Sequence, residues 1–201
     1  MKKYSFLTIL LLLLSCGKVT DEMQDTIFIT DTNDKNLPSY TEWGFNSFGA
    51  MYERRYFFST KDIVPCKIIC GNGVLTFLLS GRTGLSYSSW GSGDQLTMSI
   101  TFPFDEPIKN YKDLLALHQK QFDLSDSSCE VQMISNSNRE DLTGLSGKLK
   151  FIRTQLLRIN EKENRIILSG TFELSFWRNQ IPEIISNGRF DFGITHVFLS
   201  P

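Results

Sequence analysis

Histidine and cysteine are scarce in this chain of 201 residues: two of the first, four of the second. That leaves few ligands for a metal and few nucleophile–base pairs. The short catalytic strings are missing too. There is no Gly-x-Ser-x-Gly, no phosphate loop, no His-Glu-x-x-His and no dinucleotide fingerprint. Gly144-Leu145-Ser146-Gly147 is one residue short of a nucleophile elbow and reads as a turn. Neither a metal nor a cofactor is expected. Charge of one sign is lacking as well: the formal net charge is −1. A nucleic-acid partner or an anionic lipid surface wants a basic face, so no nucleic-acid partner is expected. Hydrophobic residues at 41% with 21% charged exclude a disordered or fibrous chain.

What is present begins at the N-terminus. Lys2 and Lys3 precede the apolar run Phe6 to Leu14. As a helix those residues span roughly 14 Å, about half of a bilayer core. The segment therefore reads as an export signal, residues 1–15, and not as a membrane span. It ends in Leu13-Leu14-Ser15-Cys16. This string resembles the lipobox of bacterial lipoproteins. The resemblance implies that Cys16 is acylated and becomes the new N-terminus, with the lipid bilayer as its partner. Two or three acyl chains hold a protein where one binds only marginally. Gly17 is not the Asp that retains some lipoproteins in an inner membrane. Lys18 with Asp21 and Glu22 loosely resembles the surface-export signal of Bacteroidota lipoproteins. The expected location is the outer membrane, on its surface or its periplasmic face.

Residues 16–40 are polar and read as a lipidated N-terminus and tether. Within them Asp25-Thr26-Ile27 matches a three-residue O-glycosylation motif of Bacteroidota, which makes Thr26 a candidate acceptor.

From Thr41 the pattern turns to period two. Leu96, Met98, Ile100, Phe102 and Phe104 alternate with mostly polar residues. So do Ile166, Leu168, Phe172, Leu174 and Phe176, and again Phe190, Phe192 and Ile194. Such alternation predicts antiparallel strands with one buried face. Further strands are expected at 46–58, 63–70, 74–80, 129–135 and 148–159, with 160–164 as a hairpin loop. Sixteen phenylalanines supply a bulky core. One amphipathic helix is expected near 108–120, carrying Tyr111, Leu114, Leu115 and His118 on one face, with Asn110 as its cap and Asp113 three residues on. The expected fold class is mainly β: a single antiparallel β-sandwich or barrel-like domain over 41–201, with that helix covering an end or a face.

Trp43-Gly44-Phe45-Asn46 opens the domain; Gly170-Thr171-Phe172 and Asn187-Gly188-Arg189-Phe190 close it. With the lipobox and tether, this resembles the small β-rich lipoproteins of gut Bacteroidota. The resemblance implies a location and a fold class, and no catalytic residues.

Few residues invite a functional reading. Loop 80–93 surrounds Tyr87 and Trp90 with glycines and serines. Aromatic platforms on a flexible polar backbone suit sugars, with Arg82 available to hydroxyls or uronates. The same aromatics could instead fold back over the core edge. Cys66 and Cys70 lie about 13 Å apart in an extended strand, too far to bridge. Either one can pair with Cys129 in an oxidising compartment, or all three are small buried hydrophobes. His118 and His196 read as core or rim residues. The function expected is non-enzymatic ligand or partner binding, a glycan being one candidate. The alternatives are an accessory subunit of an outer-membrane complex and a hydrolase acting on envelope or dietary polymer.

Overall fold

The structure is a computed structural model that describes residues 36–71, 73–85, 93–135, 138–159 and 162–200. Cys16, Thr26, Tyr87 and Trp90 lie outside the described residues.

Twelve strands form one sheet among the described residues. They are β1 (Ser47–Tyr52), β2 (Arg55–Phe58), β3 (Cys66–Gly71), β4 (Val74–Gly84), β5 (Gln95–Pro103), β6 (Gln121–Asp123), β7 (Glu130–Ser135), β8 (Asn138–Asp141), β9 (Thr143–Ile159), β10 (Lys162–Arg178), β11 (Ile181–Ile194) and β12 (Phe198–Leu199). The order is β6-β9-β10-β11-β1-β2-β4-β5-β7-β8. β3 lies beside β4 on the edge that β2 also uses, because β4 is long enough to pair with both. Every pairing is antiparallel except that of β12 with β3. The sheet is open and curled into a half-barrel, the barrel-like form of the expected class.

The curl follows from where the phenylalanines point. Phe77 on β4 and Phe151 on β9 stand several strands apart in the sheet, yet their ring centroids are 5.3 Å apart. Phe102 touches Phe77 and Phe122, and Phe151 touches Phe190. A flat sheet would leave these rings in water; curling lets the two halves of one face bury each other. Ile166, Leu168, Phe172, Leu174 and Phe176 are all buried on that inner face, as their alternation predicts. β10 and β11 meet through a two-residue turn, Asn179-Gln180, both at positive φ, the geometry whose twist matches a hairpin.

The helix is shorter and tighter than expected. It is a 3₁₀ helix, Tyr111–Leu117, with Asn110 and Asp113 forming a capping box. At three residues per turn the inward stripe is Leu114 and Leu117, and Leu115 is exposed. Its C-terminal end covers the free edge of β9. Phe151 N–H donates to the Lys120 carbonyl, and Thr154 N–H donates to His118 Nδ1. His118 thus satisfies an edge strand from the rim.

The start of the domain differs from the expected boundary. Leu37, Pro38 and Tyr40, inside the expected tether, are packed against the outer face of the sheet. Residues 36–46 form a strap across β1, β11 and β10. Gly49 makes room for it: a Cβ there would sit 2.3 Å from Pro38 Cδ. The strap covers the outward positions Ile167 and Ser169, which is why these are buried where alternation alone would leave them wet.

Candidate functional site

The strap is fixed by one buried carboxylate. Asp191, 1% exposed, accepts from Thr41 Oγ1 at 2.5 Å and from the N–H groups of Trp43, Gly44 and Phe45 at 3.2, 2.7 and 3.1 Å. A second set lies beside it. Tyr40 donates to Glu42, and Arg153 donates to the other oxygen of Glu42 at 3.2 Å. Burial pushes the Tyr40 phenol well above its ordinary range. Asn46, at φ 57°, accepts from Gly193 N–H at 2.8 Å. The backbone of 43–46 is therefore held at several points, while Trp43 and Phe45 project outward. Phe45 is 68% exposed.

A large aromatic in water on a pinned backbone forgoes about 1.5–3 kcal/mol of burial, and here it faces a groove. The groove lies at the end of the half-barrel between three segments: Phe45–Ser47, Ser59–Ile68 and Gly193–Phe198. Its volume is about 810 Å³, within the size range of small-ligand sites. Phe45 stands on one wall. Phe198 and Val64 stand elsewhere on the rim, both exposed, with the His196 ring edge-on to Phe198 at 5.1 Å. Asn46, Thr60, Lys61 and Thr195 add polar groups. The arrangement offers flat apolar faces for stacking, ringed by hydrogen-bonding groups.

Arg82 stands elsewhere than the loop in which the sequence places it. It lies in β4, not in a loop, and pairs with Asp62 at 2.9 Å while donating to the Gly93 carbonyl. Thr60 first, and then Arg82, hold the Asp62 carboxyl down to about 2. Arg82 thus braces the groove wall at Asp62.

Cys66, Cys70 and Cys129 are free thiols. Burial raises all three, Cys70 to about 11, so they are protonated and weakly nucleophilic at neutral pH. Among the described residues, no three of His, Cys, Asp and Glu come together as a metal-ligand set. No helix among them is long and apolar enough to cross a membrane.

Phe45 escapes a reading by pattern because it precedes the first strand. The signal that could have found it is Trp43-Gly44-Phe45-Asn46, two aromatics flanking a glycine and followed by an Asn; Gly44 and Asn46 both take positive φ. No family model, curated protein or solved structure matches the chain.

Proposed function

We propose that the chain is an envelope lipoprotein, anchored to the outer membrane through acylated Cys16, that binds a glycan in the groove between Phe45 and Phe198 without turning it over. The observation that carries the reading is the pinned, exposed Phe45 on the groove wall. A pyranose presents an apolar face that stacks on such a ring, and its hydroxyls suit the amide, hydroxyl and ammonium groups of the rim. Because the backbone that carries the ring is already held, little backbone entropy is lost on binding.

The test is a glycan array probed with the detergent-solubilised full chain. For the glycans bound, Phe45→Ala and Phe198→Ala should each weaken affinity about tenfold, the worth of most of one buried ring. The thermal midpoint should barely move, since neither ring is in the core. Unchanged affinity in both variants would refute the groove as the site.

A second reading, an accessory subunit docking on an outer-membrane complex, draws on a different surface. Trp177 (50% exposed), Pro182 and Ile184 (54% exposed) share the outer face of the β10–β11 hairpin. Trp177 lies against Gly144, where a Cβ would come within 2.5 Å of its ring. Loss of a co-purifying membrane protein on Trp177→Ala, with glycan binding intact, would favour that reading.

A further inference from the structure

The end of the half-barrel opposite the groove carries an exposed apolar face on the β10–β11 hairpin. Trp177 and Pro182 stand opposite each other there, Ile184 lies further along the same outer face, and Ile181 follows the turn. All four are exposed. Ile184 and Gly193, the latter at the groove, are nine residues apart on β11, about 30 Å along the strand.

The backbone that presents this face is held. Arg178, before the turn, donates to Glu140 at 2.8 Å and to the Tyr52 hydroxyl at 3.2 Å. Tyr52 donates in turn to Glu183. Glu53, in the turn between β1 and β2, accepts from the Ile184 N–H and donates its own N–H to the Ile184 carbonyl. Three carboxylates at this end, Glu53, Glu140 and Glu183, thus have donors within the protein. Arg54 and Arg55, beside Glu53, are exposed. The face is therefore apolar, with cations near its margin.

The strap enters the domain at this same end. Asn36 Nδ2 donates to the Tyr56 hydroxyl at 3.3 Å. Tyr56 opposes Met51, and Met51 opposes Ser186. Tyr56 and Ile184 are thus two strands and two residues apart on the outer side, about 12 Å. From Asn36 the strap runs away toward Phe45 and the groove. Asn36 is the twentieth residue after Cys16, a stretch of chain that reaches at most about 70 Å. A chain anchored at Cys16 is therefore held to the bilayer from its hairpin end.

We infer that the β10–β11 hairpin rests on the bilayer. Trp177, Ile181 and Ile184 enter the boundary between headgroups and acyl chains, and Arg54 and Arg55 meet lipid phosphates. The inference rests on the anchor proposed at Cys16. An indole suits this depth, being apolar in its body with one N–H at its edge. A bilayer asks for no complementary shape, whereas a stable protein partner covers about 20–30 residues a side, many more than this face offers. So few side chains bind a membrane only weakly alone, but the anchor makes the contact intramolecular. The hairpin thereby orients the domain, with the groove turned away from the membrane.

Tryptophan quenching tests it. The acylated full chain is placed in vesicles of phosphatidylethanolamine and phosphatidylglycerol, with and without bromine on the acyl chains. Bromine quenches an indole only at close range, and the chain has three: Trp43, Trp90 and Trp177. Brominated vesicles should remove roughly a third of the wild-type emission, the share of one ring seated at the interface. Trp177→Phe should abolish that loss. Ile184→Asp, which sets a charge against the acyl chains, should cut it at least about threefold. Both variants should keep the wild-type thermal midpoint in detergent, since both positions are exposed. A second arm does without acylation: residues 17–201 behind an N-terminal histidine tag, held on the vesicles by a nickel-chelating lipid. The same bromine effect is expected there. If it appears in that arm while the full chain proves unacylated, the hairpin contact stands and only the Cys16 anchor falls. An acylated chain that floats with the vesicles but is not quenched would overturn the hairpin contact and leave the anchor. Equal quenching of wild type and Trp177→Phe would overturn it as well. So would an unquenched Trp177 whose replacement by Ala releases a co-purifying membrane protein, since the face would then belong to a protein partner.

Discussion

Asp191→Ala should destabilise the domain by about 3–5 kcal/mol, although the residue is not a member of the hydrophobic core. The substitution strands four donors at once: the Thr41 hydroxyl and the N–H groups of Trp43, Gly44 and Phe45. Each unsatisfied buried donor costs about 1–3 kcal/mol, and water entering the gap recovers part of the sum. The strap should loosen first, exposing Leu37 and Tyr40 along with Ile167 and Ser169 beneath them. Chemical denaturation should show the loss, and limited proteolysis should cut between residues 36 and 46 in the variant only. Thr41→Val, which removes one donor together with its demand, should cost about 1 kcal/mol. A loss below about 1 kcal/mol for Asp191→Ala would mean that the strap is held by its apolar residues alone.

Phe172→Ala should cost about 3–5 kcal/mol, the usual range for a phenylalanine removed from a packed core. The side chain is 2% exposed, and its neighbours on β10, Leu174 and Phe176, are equally enclosed. Its place is also fixed by Gly188 on β11, where a Cβ would lie 2.7 Å from the Phe172 ring. Backbone and ring are packed so closely that the site cannot collapse to fill the void, which places the cost toward the upper end. Thr171→Ala, one residue away on the outer face, should cost under about 1 kcal/mol when no ligand is present. Equilibrium unfolding of both variants separates the faces. Equal losses would contradict the inward placement of Phe172.

The inner face was legible because burial on it needs only a local period. Phe172, Phe176, Phe192 and Met98 fall on the alternating positions, and each is enclosed. The outer face was not legible, since its burial at Ile167 and Ser169 depends on a strap that pairs with Asp191 nearly 150 residues later. Polar composition made 36–40 read as tether; there the polar atoms of Tyr40 and its neighbours are bonded inward instead. Gly81 misled in the opposite way. It suggested a loop from 80 onward, yet it sits in β4 because a Cβ there would be 2.1 Å from the Phe58 carbonyl oxygen. That glycine marks close strand packing, and Arg82 beside it follows the strand outward to Asp62. The helix was placed correctly by its Asn110 cap, but a period of 3.6 selected Leu115 where the 3₁₀ turn selects Leu117. The groove gathers residues from both ends of the chain, and such a meeting has no local signature.

Lipid on Cys16 is what would make this chain a protein of the membrane surface, and metabolic labelling with a fatty-acid analogue tests that most directly. The full chain and its Cys16→Ala variant are expressed in a bacterial host with lipoprotein-processing enzymes. Label should appear on the wild type, in the membrane fraction, and be absent from the variant, which should also retain residues 1–15. Equal label on the two, or none on the wild type, would contradict the lipoprotein reading.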